Sequence, residues 1–539
     1  MEYDQRTSLL LNKEKLLKRL LKYGLFSERL PKCFSSEKFG KYIYDAIENN
    51  KFNSNEKYKY KHTTFPLTQE TQTRLMAVPN CIGYANLCYI LFKSWDNICK
   101  YLLKNWKKGN PNFIRMCSGN KRLYRINDYD GSTEIIYTNK SDRLIKLNNV
   151  VYNKYSILMN MHIFKRYKLH LDISKFYHTI YSDSLSWALI GKDKEKELYR
   201  DRAKRKQFIK ENYDYESIEK QVMKMQDDES FGLPIGPDTS FILADILLSK
   251  IDAEMQNNFS YYRYIDDFNY YAETDEDAAY FEGCLRKNLY TYKLQINDTK
   301  KEIEKLPTNI ENSWVCDLNN YDLPICKGRK DIGKLIYFFD KCTNEARTNG
   351  ARVIKYGLTK LSNFYSSKES INEEGRCILF DFVFFSISLY PYLISILENF
   401  MAFMDDISKV TLFLNSLLKR ALKNTMYDII VWILYLSIKY NIKLDTKCLI
   451  YKRNILCQDC LSVTLLYYYM KTTKKKKYVN NIFKNFFDEK IKNKFEKEYW
   501  LLEYELYFND VITIDDDNND YYKSEIKKMK TKGISFIKF

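Results

Sequence analysis

The chain has 539 residues, 45% of them hydrophobic, with a formal net charge of +18. That length allows about two to four domains with large cores, and that composition is globular rather than disordered. The basic surplus fits a polyanionic partner such as nucleic acid, although the wealth of Lys, Asn, Ile, Tyr and Phe is also what an AT-rich genome produces whatever the function.

Residues 1–60 read as helical and basic, with Leu9, Leu10, Leu16, Leu17, Leu20 and Leu21 at helix-like intervals. Residues 60–310 mix helix with short runs rich in β-formers, chiefly "RYKLHLDIS" and "SYYRYIDDFNYYAE". From residue 311 the chain reads as almost wholly helical. Apolar segments such as "MYDIIVWILYLSIKY" and "LSVTLLYYYMK" follow one another across short polar joints, which suggests stacked, HEAT-like helical hairpins without a strict period. The expected fold class is therefore α+β, with residues 1–310 as a mixed core and 311–539 as an α-helical domain.

Lys474–Lys477 is read as a solvated helix end and "IDDDNND", 514–520, as an acidic surface loop. Cys457 and Cys460 form one CxxC, but no second pair or nearby histidine completes a zinc site, so reduced thiols are expected. The N-terminus lacks a signal-peptide core. The longest apolar stretch, Phe382 to Leu397, is interrupted by Ser386, Ser388 and Pro391. A membrane span needs roughly 20 cleaner residues, so a buried helix pair is expected and the protein reads as cytoplasmic, with no membrane partner.

The segment "YIDDF" places Asp266 and Asp267 side by side among Tyr264, Ile265 and Phe268. One Asp in a tight turn between strands bonds its own backbone and means little. Two in an apolar setting carry repulsion and desolvation that a divalent cation would offset. Mg²⁺ takes hard oxygen ligands, often one or two carboxylates plus substrate phosphates. A further carboxylate, Asp172, ends the apolar run of Leu169 and Leu171; alone it reads as a helix N-cap, and with the doublet as a ligand. Between them, "FGLPIGPDTSFILADILLSKID" puts Gly232, Pro234, Gly236 and Pro237 in a tight loop, with Ser240 expected to cap the next helix. Gly236 lets backbone approach a ligand closely. The charged stretch 191–230 has no evident role in this reading.

In this order the pieces resemble the palm of reverse transcriptases. "LDISKFYHTIY" looks like their first catalytic motif, "GLPIGPDTS" like their second and "YIDDF" like their YxDD box. "YKLQINDTKKE" looks like the motif whose lysine, here Lys300, lies near the incoming nucleotide, and "TRLMAVPNCIGYANLCYIL" like their fingers. Further segments, "LLKYGLFSERLPKCFSSEKF" and "KCTNEARTNGARVIKYGLTKL", with the long helical half, resemble the bacterial abortive-infection (AbiK-like) reverse transcriptases. Ile235 stands where many templated enzymes carry Gln, which puts ordinary templated copying in doubt.

The resemblance implies an RNA-directed DNA polymerase family enzyme acting in phage defence. It implies dNTP substrates, synthesis without a template, a protein hydroxyl as primer, a single-stranded DNA product attached covalently, and a homo-oligomer. Two divalent ions, Mg²⁺ or Mn²⁺, are expected on Asp172 and Asp266, with Asp267 beside them and the carbonyl of Ile173 as a further ligand. Lys300 is assigned to the leaving pyrophosphate, Arg74 to the triphosphate, Tyr177 to exclusion of a ribose 2′-hydroxyl, and Gly236 and Pro237 to the nucleotide pocket. Primer candidates on segments expected to be mobile are Tyr3, Tyr521 and Tyr522. The alternatives are a conventional RNA-templated reverse transcriptase of retron or mobile-intron type, and a catalytically silent nucleic-acid-binding scaffold.

Overall fold

The computed structural model describes residues 13–105, 161–309, 312–445, 458–491, 498–514 and 521–539, apart from positions 53, 55–57, 71–72, 212, 256–257, 366–369 and 405 within them. Leu9, Leu10, Tyr3, Cys457 and residues 515–520 of the acidic run lie outside the described residues.

Two helices come first, α1 (Lys13–Tyr23) and α2 (Glu37–Glu48), packed on one another. Leu16, Leu17, Leu20 and Leu21 of α1 are all buried, as their spacing requires. A hairpin follows, β1 (Thr63–Thr68) paired antiparallel with β2 (Thr73–Val78), then the long helix α3 (Cys81–Asn105). Strand β3 (Tyr167–Asp172) is next, then α4 (Phe176–Thr179) and α5 (Ser182–Ile190). The charged stretch 191–230 contains three more helices, α6 (Lys192–Arg200), α7 (Arg202–Glu211) and α8 (Tyr213–Lys224), of which α8 packs on α3 and α5. Helix α9 (Asp238–Met255) also packs on α3 and α5. It starts two residues before Ser240, whose hydroxyl donates back to the Pro234 carbonyl at 2.6 Å, so the expected cap is instead a brace for the loop.

Strands β4 (Tyr261–Tyr264) and β5 (Asp267–Ala272), helix α10 (Asp275–Thr291) and strand β6 (Glu302–Lys305) complete the mixed core. The sheet order is β4–β5–β3–β6, and every pairing is antiparallel. Strand β3 lies inside the sheet with Leu169 and Leu171 buried, so its C-terminal residue, Asp172, is delivered to the sheet's end at a fixed height.

Only helices follow among the described residues: α11 (Ser313–Asn319), α12 (Arg329–Asn349), α13 (Ala351–Phe364), α14 (Glu373–Leu389), α15 (Ile394–Phe400), α16 (Ile407–Lys423), α17 (Tyr427–Lys439), α18 (Cys460–Thr473), α19 (Lys476–Phe486), α20 (Trp500–Phe508) and α21 (Tyr521–Thr531). The pairs α12–α13, α16–α17 and α17–α18 pack as sequence neighbours, as stacked hairpins do. Pro391 ends the apolar stretch of α14, and α15 resumes it with Ile394 and Leu397 buried. No described helix is long and apolar enough to cross a membrane. Lys474–Lys477 is exposed at the joint between α18 and α19.

The two halves share one core. The C-terminal tail returns to the N-terminal segment, where the Ser35 amide donates to the Phe536 carbonyl and the Lys538 amide to the Cys33 carbonyl, both at 2.8 Å. Phe536 is fully buried against Phe26, Phe39, Trp500 and Tyr504.

Candidate active site

Cross-strand register brings the three aspartates together. Asp172, the last residue of β3, lies directly opposite Asp267, the first of β5. Tyr264 pairs with Asp267, which leaves Ile265 and Asp266 as a two-residue hairpin turn. The turn is tied to β3 by the Ile173 amide, which donates to the Asp266 carbonyl at 3.3 Å. Asp172 caps no helix: the residue before α4 is Lys175, which makes no side-chain cap.

The turn is strained and braced. Ile265 has φ +54°, a conformation a β-branched residue reaches only at a cost of about 1–3 kcal/mol. Arg263, almost fully buried, donates from Nη1 to the Ile265 carbonyl at 2.8 Å. Its Nε donates to both carboxylate oxygens of Asp252 on α9 at 3.0 Å, and Nη2 reaches the same group. The Tyr261 hydroxyl donates to Asp252 at 2.6 Å. A buried guanidinium thus locks the strained turn to α9, in the planar geometry that suits Arg and no other cation.

The fourth motif closes the site. Asn297 donates its amide to the Asp172 carbonyl at 2.7 Å, and Lys300 sets its Nζ 2.8 Å from Asp172 Oδ2. His170, two residues before Asp172, places Nε2 3.7 Å from Asp267 Oδ1 and Nδ1 3.2 Å from Asn269. Burial pushes the Asp266 carboxyl up to about 6, and the neighbouring charge of Asp267 adds to the shift. Asp267 is raised in the same direction, again first by burial. Charge concentrated this way is the setting in which a cation is bound. Among the described residues no group of three or more His, Cys, Asp or Glu side chains is already placed to hold a metal ion. One or two of these carboxylates would suit a divalent ion that keeps waters and takes its other oxygens from substrate.

Tyr177 is half-buried, with its ring against Phe176 and Phe241. Arg74 is exposed on β2. The His178 imidazole is held below its usual range first by burial and then by the charges of Arg74 and Lys175. Gly236 (φ +132°) and Pro237 are buried. A side chain at 236 would stand 2.9 Å from the Ala77 carbonyl, so the close approach there is to β2 rather than to a ligand. Tyr521 and Tyr522, expected on a mobile segment, open α21 instead. Tyr522 is buried, stacked on Tyr58, and accepts from Asn80 at 3.2 Å, because the helix turns its aromatic face into the core. Tyr3 lies outside the described residues. Sequence reasoning missed Arg263, Asp252 and His170; a lone buried Arg beside the doublet was the one available signal.

Residues 115–312 match the family model described as reverse transcriptase (RNA-dependent DNA polymerase). The chain carries a reverse transcriptase domain. Over those residues the chain is similar to the RNA-directed DNA polymerase family. No curated protein matches the chain. Among solved structures it is similar to apo telomerase from Candida tropicalis truncated from its C-terminal domain, at 12% identity over 47% of this chain and 51% of that one, with a TM-score of 0.29. The chain thus spans about half the length of that structure. It is also similar to apo telomerase from the same organism, at 12% identity over 77% of each chain and a TM-score of 0.32. A third is telomerase from Candida albicans with a TWJ fragment of telomeric RNA, at 11% identity over 66% of this chain and 64% of that one, TM-score 0.27.

Removing one partner from the buried Arg263–Asp252 pair strands a charge. We expect Asp252→Ala to lose about 3–5 kcal/mol in a denaturant titration, whereas a surface ion pair would lose under about 1 kcal/mol. A loss in the surface range would show that the clamp does not hold the turn.

The carboxyl of Asp266 is raised in the fold, so its contribution to stability is full below the ordinary carboxylate range and is lost as pH rises through about 6. In chelator-treated protein, Asp266→Asn is expected to melt higher than wild type at pH 7.5 and level with it near pH 4. Equal midpoints at both values would contradict the burial.

Proposed function

We propose that the protein is a phage-defence DNA polymerase that adds dNTPs without a template and starts from one of its own hydroxyl groups. The observation that carries the polymerase reading is the register that sets Asp172 opposite Asp267 with Asp266 in the adjoining turn and Lys300 on Asp172. The abortive-infection assignment, the absent template and the protein primer rest on the resemblance of the flanking segments and on Ile235.

Asp172, Asp266, Asp267 and the Ile173 carbonyl would hold two divalent ions, Mg²⁺ or Mn²⁺, which when bound neutralise the triphosphate and make the attacking hydroxyl nucleophilic. The chain's own groups do the rest. Lys300, half-exposed at the rim, is placed to bind phosphate and to give a proton to departing pyrophosphate. Arg74 approaches from β2 as a second cation for the phosphates. Tyr177, wedged between Phe176 and Phe241, presents bulk where a ribose 2′-hydroxyl would sit. Ile235 offers only a carbonyl, which accepts from the Ala77 amide at 2.8 Å, so this loop lacks the amide side chain that templated enzymes carry there. For priming, the burial of Tyr522 favours Tyr521 or Tyr3, and the growing strand would leave under the positive field of the chain. A homo-oligomer in the cytoplasm completes the reading.

The test is incubation with Mg²⁺ and dNTPs in the absence of nucleic acid. DNA is expected to stay in the phenol phase until protease treatment, with one peptide carrying a nucleotide on tyrosine. Asp172→Asn and Asp266→Asn are expected to fold and to lose incorporation by orders of magnitude. Product free of protein that appears only when RNA is supplied would give the templated alternative, and a fully active Asp266→Asn would remove the site.

A further inference from the structure

The β1–β2 hairpin that carries Arg74 is held by the helical half of the chain as well as by its own core. At its tip, both main-chain and side-chain donors of Thr68 go to one carboxylate. The Thr68 amide donates to Asp428 Oδ2 at 2.8 Å and its hydroxyl to Asp428 Oδ1 at 2.7 Å. Asp428 lies in the first turn of α17 and is 4% exposed. A carboxylate that deep is stable only with its acceptors engaged, so the two bonds from Thr68 are part of what keeps it buried. Two residues further along the turn, Glu70 takes the Ala351 amide on both oxygens at 3.0 Å. Ala351 opens α13, so Glu70 acts there as a cap supplied from another element, with its charge at the positive end of the helix. Gly350, at φ +73°, comes so near that a side chain would stand 2.9 Å from Glu70 Oε2.

The base of the hairpin is fixed from the same half. Thr63 donates its hydroxyl to the Glu498 carbonyl, Lys61 lies 3.3 Å from the Glu498 carboxylate, and the Trp500 indole N–H points at the Val78 carbonyl at 3.4 Å. On the other side, Ala77 bonds the loop containing Ile235 and Gly236. Between these anchors the first three residues of β2, Thr73, Arg74 and Leu75, are exposed. Thr68 pairs with Thr73 and Leu67 with Arg74, so the Asp428 contact lies one rung from Arg74.

We propose that Asp428 and Glu70 are positioning residues: through them the helical half sets the position of Arg74 on β2, and dNTP affinity depends on Asp428, which touches no nucleotide. This rests on the polymerase reading above for its kinetic consequence and on the hairpin contacts alone for its structural one. The helical half is then a built-in brace for the nucleotide side of the site, and the hairpin meets its substrate already ordered.

The test combines dNTP kinetics with amide exchange over residues 73–78. Asp428→Ala removes both acceptors. Asp428→Asn keeps them in kind, since its carbonyl can accept from the Thr68 amide while its NH₂ donates to the Thr68 hydroxyl. Thr68→Val removes one bond, and Glu70→Ala removes the cap on α13. Asp428→Ala and Thr68→Val are expected to raise KM for dNTP by about five- to a hundred-fold with kcat within about two-fold. Exchange at residues 73–78 should rise in parallel, Glu70→Ala should lie between, and Asp428→Asn should stay near wild type. Unchanged exchange in both Asp428→Ala and Glu70→Ala overturns the proposal whether or not the protein polymerises. Faster exchange with an unchanged KM overturns it equally. Failure of the wild type to use any dNTP counts against the polymerase reading instead, and the exchange result still decides whether the helical half holds the hairpin.

Discussion

Three like charges share the end of one small sheet, and that repulsion is the constraint around which the molecule is arranged. Asp172 is pinned opposite Asp267 by strand register, and Asp266 is fixed in a turn too short to relax away. Nothing in the sheet itself favours this. Burial and mutual repulsion raise Asp266, while Lys300 sets a positive charge on Asp172 and the His170 imidazole lies beside Asp267. A site that disfavours its own ionised state is poised for a cation.

Holding that arrangement uses the rest of the core. The strained φ of Ile265 persists because Arg263 bonds its carbonyl and is itself clamped by Asp252 on α9. Helix α9 follows directly from the loop of Gly236 and Pro237, which lies against β2, and β2 belongs to the hairpin braced by α13 and α17. The path from the helical half to the carboxylates therefore runs through short, directional contacts between packed elements. Such contacts have few alternative arrangements, the stiffness that the proposed metal site would need.

Much of this was legible in the sequence because it is local. The strand ending in Asp172, the YIDDF hairpin and the α1 leucines each carry their own period or turn chemistry, and each forms where expected. What was illegible is what depends on meeting in space. Asp252 looks like one more acidic residue on a helix until β4 brings Arg263 to it. Ser240 has the chemistry of a cap, but α9 begins earlier because Asp238 gives its amide to the Gly24 carbonyl of a distant segment. Tyr522 follows an acidic run that suggested mobility, yet it packs under Tyr58. Stretch 191–230 is highly charged, yet it folds into helices because Ile218 and Val222 face inward on α8.

Polymerisation as proposed requires Asp172, Asp266 and Asp267 together to hold the divalent ions. The most direct measurement is Mn²⁺ binding followed by electron paramagnetic resonance, with dNTP present, in wild type, Asp172→Asn and Asp266→Asn. We expect Mn²⁺ to bind wild type, to be displaced by Mg²⁺ and to be lost in both folded variants. Mn²⁺ bound equally by all three proteins would contradict the site and, with it, the reading of the chain as a polymerase.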